Sequence, residues 1–211
     1  MKYFTLIAFI MLFSCGNKED VLLPKAATTI VKNIDDLSPI YIFFRANGKD
    51  TTAELNRKNS IISTNWILNI DRRLPLRLVI PHVIKLQQKK REEKAHKNEK
   101  AENYYSYADT IGKNLAFIPF TNVYYKMEEP TKGNLKICFY KDRLEVNDSV
   151  VSKLKLEEYL NNIKIENEKT FILCFDKNIS YGSYIYSKVF IKNIKLNKKE
   201  LSFDENQEFI F

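Results

Sequence analysis

From Ile40 onward the apolar positions of the chain switch between a period of two and a period of 3.6, and each switch marks an element. IYIFF, Ile40 to Phe44, predicts a short strand that ends at the turn signal Ala46-Asn47-Gly48-Lys49, and SIISTNWILNI, Ser60 to Ile70, predicts a second strand. Asp71 then precedes LPLRLVIPHVIKLQ, where Leu76, Val79, Ile80 and Val83 follow helical spacing. Pro75 suits a first helical turn, whereas Pro81 must either kink this helix or mark its true start. The helix is expected to run on into the charged stretch that follows. YYSYAD, Tyr104 to Asp109, predicts a third strand, followed by LAFIPF and VYYKM.

The pattern sharpens in the second half. NLKICFY alternates Leu135, Ile137 and Phe139 on one face, Lys141-Asp142-Arg143 makes a turn, and Leu144 to Val151 is expected to return as the other arm of a hairpin. KLEEYLNNI puts Leu156, Tyr159, Leu160 and Ile163 on one helical stripe. KTFILCF is apolar on both faces, which predicts a central strand. After Asp176 and Lys177, Ser180 can cap a helix whose apolar side is read as Tyr186, Val189, Phe190 and Ile194, and QEFIF closes the chain as a strand. The order β-β-α-β-α-β predicts an α+β fold with the helices on one face of the sheet in this half. Asp176 at a strand–helix junction reads as a turn or cap residue worth about 0.5 to 2 kcal/mol. Gly182 lets a neighbouring segment approach closely.

The first residues have a different character. Lys2, the apolar run YFTLIAFIMLF and then Leu12-Phe13-Ser14-Cys15 are in the order of an export signal with a lipobox. The apolar run is shorter than the roughly 20 residues a permanent membrane span needs. Residues 1–14 are therefore expected to be a signal peptide, with Cys15 as the lipidated amino terminus; the alternative is an ordinary secretory peptide followed by a stray cysteine. Residues 15–38, with no sustained period, are expected to form a tether. Lys18-Glu19-Asp20 is similar to a surface-sorting signal, or is simply a solvated part of that tether. An amino-terminal half over 39–128 and a second unit over 134–211 complete the expected organisation.

At 45% apolar and 13% aromatic the chain has ample material for a packed core, which excludes disorder throughout. The formal charge of +8 is concentrated in KLQQKKREEKAHKNEK, Lys85 to Lys100. That run is interrupted by Glu92, Glu93 and Glu99 and has no interleaved aromatics, so it reads as a solvated helix face and not as a nucleic-acid stripe. His82 and His96 show no metal-ligand spacing, and neither Gly-x-Ser-x-Gly nor a glycine-rich phosphate loop occurs. No catalytic group, metal or cofactor is expected. Cys138 and Cys174 each fall in a predicted strand and are read as buried free thiols; a disulfide would need the two strands adjacent and in register. Tyr104, Tyr105, Tyr107, Tyr124 and Tyr125 cluster between the halves, as an inter-domain core before a sugar-binding groove.

FDKNISYGSYIYSKVFIKNI resembles the strand–turn–helix of the ExbD/TolR family of biopolymer-transport proteins, matching it at Asp176, Lys177, Ile179 and Tyr181. The upstream hairpin, with Asp142 at its turn and Asn147-Asp148 beyond, agrees in position, so that the resemblance covers about residues 134 to 211. It implies the extracytoplasmic module only. The family's proton-coupled membrane helix carries an acidic residue, and the apolar signal segment of this chain has neither Asp nor Glu. The first half repeats strand, strand, helix, strand-with-Asp, with Asp109 falling where Asp176 falls. This leaves open either a degenerate second copy or a chance ββαβ pattern. The expected function is a non-enzymatic envelope lipoprotein, held on the membrane by lipid on Cys15, that docks to an envelope transport complex. The alternatives are a cell-wall-polymer-binding lipoprotein and an envelope hydrolase.

Overall fold

The computed structural model describes residues 20–48, 50–95, 97–131, 135–163 and 169–211. The signal segment 1–14, Cys15, Lys18, Glu19, Lys49 and His96 lie outside the described residues. The fold is α+β, with two mixed sheets of six strands each and, among the described residues, three α-helices. The first sheet holds β1 (Lys25–Ala26), β2 (Leu37–Asn47), β3 (Asp50–Asn56), β4 (Asn65–Ile70), β5 (Asn103–Asp109) and β6 (Asn114–Pro119); α1 (Leu76–Glu92) joins β4 to β5. The second holds β7 (Tyr124–Lys126), β8 (Lys136–Phe139), β9 (Leu144–Val146), β10 (Ser149–Val150), β11 (Lys169–Phe175) and β12 (Leu201–Ile210). α2 (Leu156–Asn162) precedes β11, and α3 (Tyr181–Lys192) joins β11 to β12.

Four strands of each sheet share one topology. The orders β3-β2-β4-β5 and β9-β8-β11-β12 coincide, with an antiparallel hairpin followed by two parallel neighbours in each. The core positions coincide too: Ile40, Ile42, Trp66, Leu68 and Ile70 are buried in the first half, and Ile137, Phe139, Phe171, Leu173 and Phe175 in the second. The residue that corresponds to Asp176 is Asp71, since both follow a parallel strand and precede a helix. Asp71 N donates to Ile42 O at 3.1 Å and Asp176 N to Phe139 O at 2.9 Å. Asp109 stands elsewhere. It closes the β5–β6 hairpin by accepting from the N–H groups of Ile111 (2.9 Å) and Gly112 (2.8 Å) and from Thr29 Oγ1. The expected correspondence of Asp109 with Asp176 is thus corrected to Asp71.

The two strand–helix turns clasp each other reciprocally. Leu76 N donates to Ile179 O (3.1 Å) and Tyr181 N to Leu74 O (2.7 Å); Arg77 N donates to Lys177 O (2.8 Å) and Gly182 N to Arg72 O (3.0 Å). Each bond in one half has its counterpart in the other, as an approximate twofold axis through the Pro75–Ser180 bridge requires. One continuous core joins the inner faces of both sheets to α1, α2 and α3. Each of its fully buried Leu, Ile and Phe side chains contributes about 1.5–3 kcal/mol.

A polar chain crosses this core. Tyr184 Oη donates to Glu208 Oε2 at 2.7 Å, so it accepts from Tyr125 (3.2 Å), which accepts from Tyr105 (2.8 Å). Lys188 Nζ binds the other Glu208 oxygen, and both residues are buried. Burial above all, with the Glu208 carboxylate beside Tyr125 and Tyr184, raises these phenols well above their usual pKa. The buried face of α3 is accordingly Tyr181, Tyr184, Ile185, Ser187, Lys188, Val189 and Ile191, while Tyr186 is 46% exposed. Of the expected stripe, Val189 is buried and Phe190 and Ile194 pack against the core, but Tyr186 does not, because the inner face instead carries Tyr184 and Lys188, which reach Glu208.

Other expectations change by register and pairing. Residues 22–31 are not tether: Lys25–Ala26 pair with β5, Val31 bridges Phe117, and Arg72 N donates to Leu22 O at 2.8 Å, just as Lys177 N donates to Phe211 O. Leu22 thus fills the place that the end of β12 fills in the second half. Nor does the first half end cleanly near 128, since β7 pairs with β12. Pro81 lies inside α1, and the Leu144–Val151 arm is broken at Asn147 and Asp148, whose φ values of 49° and 66° turn the chain from β9 into β10. Tyr105, Tyr107 and Tyr125 are core, whereas Tyr124 is 57% exposed.

Cys138 and Cys174 form a disulfide, correcting the expectation of free thiols. β8 and β11 are parallel neighbours with these two residues directly paired, Cα to Cα 4.4 Å, on the outer face beside Ile172 and Phe209. A bridge closing 36 residues stabilises by about 3–4 kcal/mol through the unfolded chain. Replacing both cysteines with serine should therefore lower the unfolding free energy in urea by about that amount; an unchanged midpoint would contradict the pairing.

Candidate functional site, a basic cleft shared by the two halves

The turns that clasp the halves also build a cleft of about 1090 Å³. From the first half, Lys25 of β1 and Arg72 and Arg73 of the β4–α1 turn line it; from the second come Lys141 and Arg143 of the β8–β9 turn and Lys153. Asp142 is the one carboxylate among the lining residues. Arg73 is neutralised by Asp71 (2.7 Å) and lies over the Phe44 ring at 4.2 Å. Arg143 pairs with Glu145 (2.7 Å) and lies 3.9 Å over Tyr140. Among the described residues, Lys25, Arg72, Lys141 and Lys153 have no carboxylate partner. Lys153 Nζ lies 4.6 Å from the Tyr186 ring and 5.5 Å from that of Phe139, and donates to Ser187 Oγ at 3.3 Å. Burial pulls its pKa down, and no acid opposes that shift.

The expected site residues frame this cleft. Asp176 makes a turn, its Oδ1 accepting from Asn178 N at 2.8 Å; it does not cap α3. Ser180 does, through Ser183 N at 3.1 Å. Gly182 sits where the halves touch backbone to backbone: a Cβ there would lie 3.1 Å from Arg72 Cβ and 3.2 Å from Arg72 O. Ile179, Ser180 and Gly182 line the cleft, while Lys177 gives its carbonyl to the clasp and Tyr181 is core. Because the clasp and the Ser180 cap already occupy the N–H groups of Tyr181, Gly182 and Ser183, an anion here would meet side-chain cations and not free helix amides. The Tyr181 hydroxyl is buried without a partner, and nothing in the structure explains it.

Sequence reasoning missed the cleft, whose cations span residues 25 to 153. The available signal was the recurrence of basic residues around a turn aspartate, Asp71-Arg72-Arg73 and Lys141-Asp142-Arg143. A second cavity, of about 510 Å³, lies among Phe120, Leu173, Ile191 and Phe203, with Lys188 at its wall. Elsewhere, burial on α1 lowers the pKa of His82, and Lys90, pulled down to about 8 by burial, donates to Thr64 O, Glu102 O and Asn103 Oδ1 at 2.9–3.1 Å. Among the described residues no group of three or more His, Cys, Asp or Glu is placed to hold a metal, and no helix is long and apolar enough to cross a membrane. No family model matches the chain, and no curated protein or solved structure matches it either.

Asp71 and Asp176 occupy equivalent turns with unequal roles. Asp71 is fully buried; burial opposes its ionisation, but the Arg73 guanidinium and the N–H groups of Arg73 and Leu22 hold its pKa below the usual carboxylate value. Asp71→Ala should cost about 2 kcal/mol of stability and Asp176→Ala about 1 kcal/mol, read from urea midpoints. Because the folded pKa is depressed, the Asp71 contribution is present at neutral pH and is lost as the pH falls below the unfolded value of about 4. Asp71→Asn should therefore flatten the acid limb of the stability profile; an acid limb identical to the unaltered protein's would contradict the assignment.

Proposed function

We propose that the protein is a lipid-anchored component of the bacterial cell envelope, similar in organisation to the ExbD/TolR extracytoplasmic module. It works by binding and not by catalysis, and it has no proton-motor activity of its own. The observation that carries this reading is the cleft, to which both halves contribute cations and in which Lys25, Arg72, Lys141 and Lys153 lack a carboxylate partner among the described residues. Such a surface is suited to an acidic partner, because it attracts negative charge without the cost of breaking an existing ion pair. The Cys138–Cys174 bridge supports an extracytoplasmic location, since disulfides persist in oxidising compartments. The signal-like segment ending at Cys15 supports acylation and envelope retention. The shared topology and the reciprocal clasp support two modules paired within one chain, where linkage replaces association of separate subunits. A second reading, binding of an anionic cell-wall polymer, is favoured by the same unneutralised cations.

Fractionating cells that express the chain with and without Cys15→Ala, then capturing partners from the detergent-solubilised envelope, tests the proposal. Cys15→Ala should leave the membrane fraction or remain uncleaved, and the unaltered chain should recover components of a transport complex. Recovery of cell wall alone would favour the second reading. Normal cleavage with unchanged membrane retention of Cys15→Ala would contradict the lipid anchor.

A further inference from the structure

The cations of the cleft share its rim with exposed apolar side chains. Leu154 is 97% exposed, Val150 69% and Tyr186 46%. Leu154 lies in a 3-10 turn between Lys153 and Lys155, over a neighbouring depression that Glu157 and Glu158 also line, and Val150 and Tyr186 line the cleft beside Lys153. In water this arrangement leaves apolar surface unburied. At a bilayer surface the same residues divide naturally, with Leu154, Val150 and the Tyr186 ring in the acyl boundary and the flanking ammonium and guanidinium groups at the phosphates.

The path of the chain brings this surface to a membrane. Leu22 is held at the β4–α1 turn, its N–H donating to Asp71 Oδ2 (3.3 Å) and its carbonyl accepting from Arg72 N (2.8 Å), so the chain enters the fold at the turn that supplies Arg72 to the cleft. Leu22 is seven residue steps from Cys15, a distance of at most about 25 Å when fully extended. An acyl group on Cys15 therefore keeps the Arg72 side of the cleft within one such length of the bilayer. The other basic region, on α1 and beyond, is a weaker candidate because Lys85 and Lys89 lie with Glu92 and Glu93, Lys97 pairs with Glu99, and no exposed large apolar side chain stands among them in the described residues.

We propose that the cleft and its rim, Val150 to Lys155, dock onto the anionic phospholipid headgroups of the membrane that holds the acyl anchor. Arg72 and Lys153 meet lipid phosphate, and Leu154 enters the interface. The inference rests on the acylation of Cys15, names lipid phosphate as the acidic partner of the cleft, and adds a second, electrostatic membrane signal to the acyl anchor. Each basic side chain at an anionic surface adds about fivefold to binding.

The test uses the full chain in neutral detergent, titrated calorimetrically with dihexanoylphosphatidylglycerol, dihexanoylphosphatidylcholine, glycerol 1-phosphate and polygalacturonate. Phosphatidylglycerol should bind at least about tenfold tighter than phosphatidylcholine. Arg72→Gln with Lys153→Gln should weaken it about thirtyfold, and Leu154→Ser should weaken it with an unchanged melting midpoint. Lys85→Gln with Lys89→Gln should leave it unchanged. Equal affinity for the two lipids, equal weakening by the α1 pair, or no effect of Leu154→Ser would overturn the proposal. Glycerol phosphate binding as tightly as the lipid would make the cleft a soluble-anion site, and tighter binding of polygalacturonate a polymer site; either overturns membrane docking. The mass of the processed chain reports Cys15 acylation separately, so loss of lipid preference with acylation intact removes this inference alone.

Discussion

The fold depends on the mutual satisfaction of two helix beginnings. A helix leaves its first N–H groups without intrahelical partners, and a strand–helix turn leaves carbonyls exposed. Here α1 and α3 settle both deficits at once, with Leu76 and Arg77 donating to the turn before α3 and Tyr181 and Gly182 donating to the turn before α1. Either half alone would expose the groups that the other completes. Gly182 marks the cost of this closeness, because a side chain at that position would press on Arg72. The counterpart, Arg77, is exposed and carries its side chain outward.

What lies around the clasp follows from it. Bringing the turns together sets Arg72 and Arg73 opposite the β8–β9 turn and so creates the basic cleft. It also closes the core over Tyr105, Tyr125, Tyr184, Lys188 and Glu208, where a buried carboxylate is stable only because a lysine and a tyrosine chain reach it from neighbouring elements. That network crosses from β5 through β7 to α3 and β12, and a slipped register in any of them would leave a buried charge unpaired. It therefore favours one alignment of the halves.

Local pattern was legible in the sequence where one face of an element decides its fate. Leu76, Val79, Ile80 and Val83 are buried along α1 as their spacing predicts, and KTFILCF is central between β8 and β12. Pairing was not legible. The disulfide depends on the register of β8 with β11, which no local period reveals, and the place of Lys188 on the inner face of α3 was hidden because its partner lies 20 residues away. The equivalence of the halves was partly visible, but it was anchored on the wrong aspartate. Asp71-Arg72-Arg73-Leu74-Pro75-Leu76 and Asp176-Lys177-Asn178-Ile179-Ser180-Tyr181 share the order Asp, two polar, apolar, helix-entry residue, apolar, whereas Asp109 is followed by a hairpin. The cleft was invisible for a different reason: its cations come from four separate turns and strands, and only the clasp makes them neighbours.

Because each helix beginning is completed by the other turn, the halves open only when the whole molecule unfolds. Native-state hydrogen exchange of the full chain measures this at the amides of Leu76, Arg77, Tyr181 and Gly182, with Leu68 and Leu173 as core references. The account predicts that the four clasp amides exchange through the same global opening as the two core amides, with the same dependence on urea. Exchange of the clasp amides through a smaller, urea-insensitive opening while Leu68 and Leu173 stay protected would contradict it.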